Sequence, residues 1–446
     1  VGFEVSEVNR ALFDWQQVVT KWGLKTGQAA YFEDCGLGKT AQQLAWGEEV
    51  SKRTNMPVLI LAPLAVAPQT AKEGLKFNIP VNIAENQADI KPGINITNYE
   101  KLDKFDAEAF SGIVLDESSI LKSYMGKTKR LICDKFKDVP YKLACTATPA
   151  PNDLMELLNH AEFLGIMRSS EALSVWFIAD QRKSGTYRLK GHAQKDFWQW
   201  VSSWAVCIEK PSDIGFSDEG YLLPALNEYD EIIPTDLLDK DFDNGLIRKI
   251  ALSATGFYKE KKRTLPGRVK RCAEIAQASN EQFVIWCDTN DEADALKKLL
   301  PEAIEIRGNH KLEIKEKAAL DFIQGKTRIL ISKPSIFGFG LNFQNCSNSI
   351  FCGLNYSYES YYQAVRRFYR FGQTKAVNIW RVLGSTEKNI LDVIERKARQ
   401  KKDMAIGMAE AMKEFQTANV TGTNFKLNTE IQKVTIPDWL RSEKAC

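Results

Sequence analysis

Apolar runs of strand length recur along the chain at 29–32, 58–62, 94–97, 112–115 and 141–145, with helically spaced stretches between them. A second series follows at 283–287, 304–306, 328–332, 349–352 and 377–382. Unbroken apolar runs alternating with amphipathic stretches predict an α/β fold, with parallel sheets covered by helices on both faces, laid down twice. Between the two series the pattern breaks. Residues 167–227 carry Trp176, Trp198, Trp200 and Trp204 and read as a mostly helical insertion, whose aromatics are expected to pack onto the first lobe rather than to stack on bases. Residues 228–265 are charged and weakly periodic and read as the connection. The expected organisation is a first lobe over 1–166, the insertion, the connection, a second lobe over 266–407, and a polar tail over 408–446.

Composition narrows the class. The 446 residues are 44% hydrophobic and 26% charged, as in ordinary globular domains. No run approaches the roughly 18 apolar residues that suggest a membrane span, and residues 1–10 do not read as a signal peptide. Nine Cys are dispersed without a CxxC pair, and the three His, His160, His192 and His310, stand apart from them. That argues against a structural metal and fits a reducing, cytoplasmic setting. A net charge of +3 does not announce a nucleic-acid binder. Basic runs at 122–130, 259–271 and 396–402 could line a phosphate track or be solvated helix faces.

Three clusters carry chemistry. The first is Glu33-Asp34-Cys35-Gly36-Leu37-Gly38-Lys39-Thr40, between the apolar run at 29–32 and a helical pattern at 41–50. A strand, a glycine-rich turn and a helix start make an anion site from backbone N–H groups. Gly36 and Gly38 would let the backbone close on phosphates, with Leu37 between them. Lys39 would reach the β and γ phosphates, and the Thr40 hydroxyl would hold Mg²⁺. The second cluster, Asp116-Glu117-Ser118-Ser119, follows the apolar run at 112–115. Acids at the carboxyl end of a buried parallel strand lie where such sheets bind ligands, so Asp116 would serve the metal and Glu117 the attacking water. The third spans 363–373, where Arg367 and Arg370 stand three apart, hence on one face of a helix. Such arginines can neutralise a transferring phosphoryl group.

The order GLGKT, DExx, TATP, GFGLN and QAVRRFYRFGQ resembles that of superfamily 2 helicases, and in detail their Swi/Snf branch. Residues 33–40 are similar to that branch's DEMGLGKT. Leu61-Ala62-Pro63-Leu64 resembles its first DNA-contacting motif and Cys145-Thr146-Ala147-Thr148-Pro149 its coupling motif. Gly338-Phe339-Gly340-Leu341-Asn342 resembles GGLGLN, and 363–373 resembles QAxDRAHRIGQ. The resemblance covers roughly residues 12–397 and extends to compact bacteriophage and prophage members, which share the DESS variant. It implies two RecA-like lobes closing on ATP and Mg²⁺, with Gln16 reading adenine, Gly338 beside the nucleotide, and Arg367 and Arg370 acting across the cleft. It further implies nucleic-acid contacts near Pro63 and Thr97. The sequence departs from the branch where Ser119 replaces a His and where Arg366 stands at a position often held by Asp. The expected activity is ATP-driven translocation on, or remodelling of, double-stranded DNA by a monomer. A strand-separating helicase on DNA or RNA, and an ATP-gated scaffold that does not move, are the rivals. No protein partner is legible.

Overall fold

The computed structural model describes residues 1–63, 66–122, 126–151, 153–179, 187–234, 254–337 and 343–421. The first lobe is built on β1 (Gln28–Glu33), β2 (Val58–Ala62), β3 (Val81–Ile83), β4 (Ile94–Asn98), β5 (Gly112–Asp116) and β6 (Tyr141–Thr146). A short antiparallel pair, β7 (Phe177–Ala179) and β8 (Tyr187–Leu189), precedes β9 (Ala205–Ile208). The seven-stranded sheet runs β3-β4-β2-β5-β6-β1-β9, every neighbour parallel. The second lobe holds β10 (Leu226–Ile233), β11 (Phe283–Cys287), β12 (Ile304–Glu305), β13 (Ile329–Ser332), β14 (Asn348–Cys352) and β15 (Val377–Gly384). They form a second all-parallel sheet, ordered β10-β15-β14-β11-β13-β12.

Both sheets are covered on both faces. Every residue of β2, β11, β13 and β14 is buried, which is why β2 and β11 read as unbroken apolar runs rather than alternating ones. Parallel strands also put all their carboxyl ends on one edge. The residues after β1, β2, β4 and β5 therefore share one rim of the first lobe.

The expected insertion and connection give way to a different partition. Ala205–Ile208, inside the presumed helical insertion, pairs with β1 as the last strand of the first sheet. Leu226–Ile233, at the start of the presumed connection, pairs along its whole length with β15 in the second. Burial explains why β10 escaped notice: as an edge strand it is mostly exposed, so its sequence lacks an apolar run. Tryptophans 198 and 204 are buried in the first lobe, with Phe197 packed edge-on to Trp198 at 4.9 Å. This is the packing role expected of them.

The C-terminal helix, Lys388–Thr421, does more than close the second lobe. Ile390 and Ile394 sit in the second-lobe core, while Met408 and Met412 are buried in the first. At about 1.5 Å per residue, its 34 residues are long enough to straddle both lobes. The presumed tail thus begins as an ordered strap; residues 422–446 lie outside the described residues.

A buried ionic knot holds the second lobe. Arg268, on the helix Ala254–Gln277, is fully buried. It donates to Glu292 Oε1 at 2.7 Å, Thr264 Oγ1 at 2.9 Å, and the carbonyls of Lys261 at 2.8 Å and Cys352 at 3.0 Å. Glu292 in turn accepts from the backbone of Asp288 and Thr289, and Glu387 accepts from the backbone of Gly384. Both oxygens of Glu292 and one of Glu387 are hydrogen-bonded, so the knot fixes the ends of β11, β14 and β15 relative to one helix. Arg268→Ala is expected to destabilise the second lobe by about 3–5 kcal/mol in urea unfolding, because it strands buried carboxylates. A loss below about 1 kcal/mol would contradict this account.

Candidate active site

The loop 33–40 joins β1 to the helix Lys39–Thr54. Gly36 and Gly38 take φ of +89° and +81°, which side chains rarely tolerate, and Gly38 caps the helix. The Lys39 ammonium lies within the loop, donating to the carbonyls of Glu33 at 2.8 Å and Asp34 at 3.0 Å. Thr40 stands half-buried one residue into the helix. Gln16 is buried against the loop: its Nε2 donates to the Leu37 carbonyl at 2.8 Å, and its Oε1 accepts from Phe13 N at 3.0 Å. A Cβ at Gly38 would fall 2.5 Å from that Nε2. Glu33, behind the loop, accepts from Gln42 Nε2 at 2.7 Å, and burial pushes its carboxyl up to about 7.

Asp116 ends β5 and Glu117 follows it. Asp116 Oδ1 accepts from Gln43 Nε2 at 2.9 Å, and its carbonyl accepts from Tyr99 Oη at 2.7 Å. Burial pushes both carboxyls up and the Asp116 charge pushes Glu117 further, while Lys39 and Arg367 oppose the rise in each. Glu117 has φ +54°, and among the described residues the other non-glycines with positive φ are Asn55 and Asn78. Asn tolerates that region; a longer side chain is held there only by its surroundings, at roughly 1–3 kcal/mol.

Two neighbours supply the hold. Thr146 Oγ1 donates to Glu117 Oε2 at 3.4 Å and accepts from Thr148 N at 3.0 Å, joining the acidic turn to the end of β6. His160, on the helix Glu156–Leu164, bonds Ser118 Oγ through Nε2 at 3.1 Å and the Glu156 carbonyl through Nδ1 at 3.2 Å. A carbonyl can only accept, so Nδ1 carries the proton and Ser118 donates to Nε2.

The arginines arrive from the second lobe. The sequence placed them on a helix face, but the helix Tyr358–Val365 closes first. Phe368, fully buried between Trp286 and Phe343, takes the chain off the helical path. Arg367 and Arg370 therefore stand in an irregular turn. Burial pushes the Arg367 guanidinium down to about 10, Arg370 adds to this, and Glu117 and Asp116 oppose it, so it stays charged near neutrality. A Cβ at Gly36 would meet Phe371 N at 2.9 Å and Arg370 Cβ at 3.4 Å, so the arginine turn lies directly on the phosphate-type loop.

The remaining sequence candidates fall as follows. Pro63 follows β2, and Thr97 lies in β4 opposite Leu61. They flank the same rim, with Thr97 only 2% exposed. Gly338 lies outside the described residues. Sequence reasoning missed Gln43, His160 and the cross-lobe partners Asp34, Glu359 and Tyr362. The one signal available was Arg366, whose basic side chain departs from the resembled pattern. Among the described residues no helix is long and apolar enough to cross a membrane, and no His, Cys, Asp and Glu cluster is arranged to hold a metal by itself.

Burial holds His160 neutral and pushes its imidazole down to about 4. The unfolded chain, with a His near 6.5, binds the extra proton over that window, so stability falls as pH drops from about 6.5 toward 4. The stability of wild type relative to His160→Leu should accordingly fall by about 2–3 kcal/mol between roughly pH 7 and pH 4.5 in urea unfolding. A difference independent of pH would contradict the buried neutral imidazole.

Residues 267–372 match the helicase conserved C-terminal domain. Protein p41 of Acyrthosiphon pisum secondary endosymbiont phage 1 is 24% identical, over 90% of this chain and 98% of that protein. Among solved structures, the Sulfolobus solfataricus SWI2/SNF2 ATPase core in complex with dsDNA aligns over 94% of this chain and 98% of that one, at 20% identity and a TM-score of 0.43. Residues 267–372, within the second lobe, are similar to helicase conserved C-terminal domains, and the chain's ordered motifs resemble those of superfamily 2 helicases of the Swi/Snf type.

Proposed function

We propose that the chain is an ATP-driven motor that translocates on, or remodels, double-stranded DNA. The observation that carries this reading is the meeting in one cleft of the loop bearing Lys39, the acidic pair Asp116 and Glu117, and the turn bearing Arg367 and Arg370 from a helicase C-terminal domain. In this reading the backbone N–H groups of 36–40 and the Lys39 ammonium cradle the β and γ phosphates, and Gln16 recognises adenine beside the loop. Glu117, held strained by Thr146 and the Ser118–His160 pair, orients the attacking water. Arg367 and Arg370 neutralise charge that grows on the transferring phosphoryl group.

Oxygen donors suit a hard divalent cation. The Thr40 hydroxyl and the buried Asp116 carboxylate are such donors, and Gln43 holds only one oxygen of Asp116. These two residues would hold Mg²⁺, which when bound would offset phosphate charge. The acidic pair, raised by burial, fits a site where a cation joins Lys39 and Arg367.

Because the arginines and the loop belong to different lobes, hydrolysis and release change what holds the lobes together. A strand lying across the rim near Pro63 and Thr97 and across the second lobe would be shifted by each cycle. Contacts there would be to phosphates, and so independent of sequence.

The test is the ATPase rate against concentration of matched duplex and single-stranded DNA at two salt levels, with Glu117→Gln as the inactive control. Duplex is expected to stimulate more than single strands. The affinity should fall with log salt at about −0.9 per phosphate neutralised. Stimulation by single strands alone would favour a strand-separating helicase. Stimulation by no nucleic acid would leave an ATP-gated scaffold.

A further inference from the structure

The helix Tyr358–Val365 presents a single face to the first lobe. Glu359 and Tyr362 stand three apart on it, and Arg366, which caps it, follows Tyr362 by four. Each is bonded to a residue of the opposite lobe that flanks a nucleotide motif. Glu359 accepts from Ser119 Oγ at 3.3 Å and from Lys122 Nζ at 2.5 Å, directly after the acidic turn. Tyr362 Oη donates to Asp34 Oδ1, and Arg366 Nη2 pairs with Asp34 Oδ2, at the mouth of the loop.

The basic end of this face is braced within its own lobe. Arg366 Nε donates to Tyr362 Oη at 3.2 Å and its Nη1 to the Tyr369 carbonyl at 3.1 Å. Its guanidinium lies 5.5 and 5.6 Å from the rings of Tyr362 and Tyr369. Lys401, from the strap helix, sets its ammonium 3.1 Å from the centre of the Tyr362 ring. The Arg366 side chain is 10% exposed and that of Asp34 24%, so this pair is better shielded from water and salt than an ordinary surface bridge.

We propose that Glu359, Tyr362 and Arg366 form a latch that positions Arg367 and Arg370, registering lobe closure against the loop at Asp34 and the acidic turn at Ser119 and Lys122 together. The geometry favours a latch over scattered surface pairing. Two separate anchors on one rigid helix fix its rotation as well as its distance, and Arg367 follows the last latch residue directly. A small rotation of the helix would carry the arginines off the loop, and such misplacement lowers rate more than binding. These are positioning residues: in the reading above none touches the nucleotide.

The kinetic arm of the test rests on the motor reading; the scattering arm does not. Lys122→Glu, Glu359→Lys, their exchange Lys122→Glu with Glu359→Lys, and the mild Tyr362→Phe are compared with wild type. Two quantities are read: kcat and KM for ATP at saturating duplex DNA, and the radius of gyration in solution without nucleotide. Each charge reversal is expected to lower kcat about tenfold with KM within about threefold, and to enlarge the radius of gyration. Tyr362→Phe should move both in the same direction by less, and the exchange should recover most of both. Single variants that match wild type in both quantities, or an exchange no better than its parents, would overturn the latch. A wild type without ATPase activity would overturn the motor reading instead, and the scattering comparison alone would then decide the latch.

Discussion

The missing side chain at Gly36 is the constraint on which the rest depends. A Cβ there would stand 2.9 Å from the Phe371 nitrogen, nearer than real Cβ atoms come to a backbone. The loop and the arginine turn are therefore in contact through bare backbone, and the contact joins two lobes more than 300 residues apart in sequence. Everything else serves that approach. The parallel sheets bring the loop and acidic turn to one rim, the Arg268 knot fixes the second lobe's strand ends, and the strap helix ties the second lobe back onto the first. None of this requires a strongly basic surface, which agrees with a net charge of +3.

Strain is concentrated at one point of the rim. Glu117 sits at φ +54° between Asp116, held by Gln43, and Ser118, held by His160. A turn this constrained aims one carboxylate without letting it relax, which suits a group that must orient water rather than bind a ligand tightly. His160 is a core residue by burial, its ring edge-on to Phe32, yet its side-chain hydrogen bond goes to the residue after Glu117. The packing of the helix Glu156–Leu164 and the geometry of the acidic turn are thus one structural fact.

Much of this was legible in the chain. Strands buried on both faces advertise themselves as apolar runs, and the loop and acidic turn follow β1 and β5 directly, so local spacing found them. Two edge strands did not advertise: β10 is mostly exposed, and β9 hides among tryptophans and lysines within what read as a helical insertion. Residues whose meaning depends on the other lobe were also hidden. Nothing near Asp34 in sequence indicates Tyr362 or Arg366, and nothing near Ser119 indicates Glu359. The helix assigned to Arg367 and Arg370 failed for a tertiary reason, the burial of Phe368, which spacing alone cannot register.

The central claim is that one site is completed by two lobes, so that second-lobe arginines act on the transition state rather than on bound ATP. The direct measurement is Arg367→Ala, read separately for binding of a fluorescent ATP analogue and for single-turnover hydrolysis. The account predicts an affinity within about threefold of wild type and hydrolysis slower by roughly 10³. Loss of binding and hydrolysis in equal measure would place Arg367 in the ground-state pocket and contradict it.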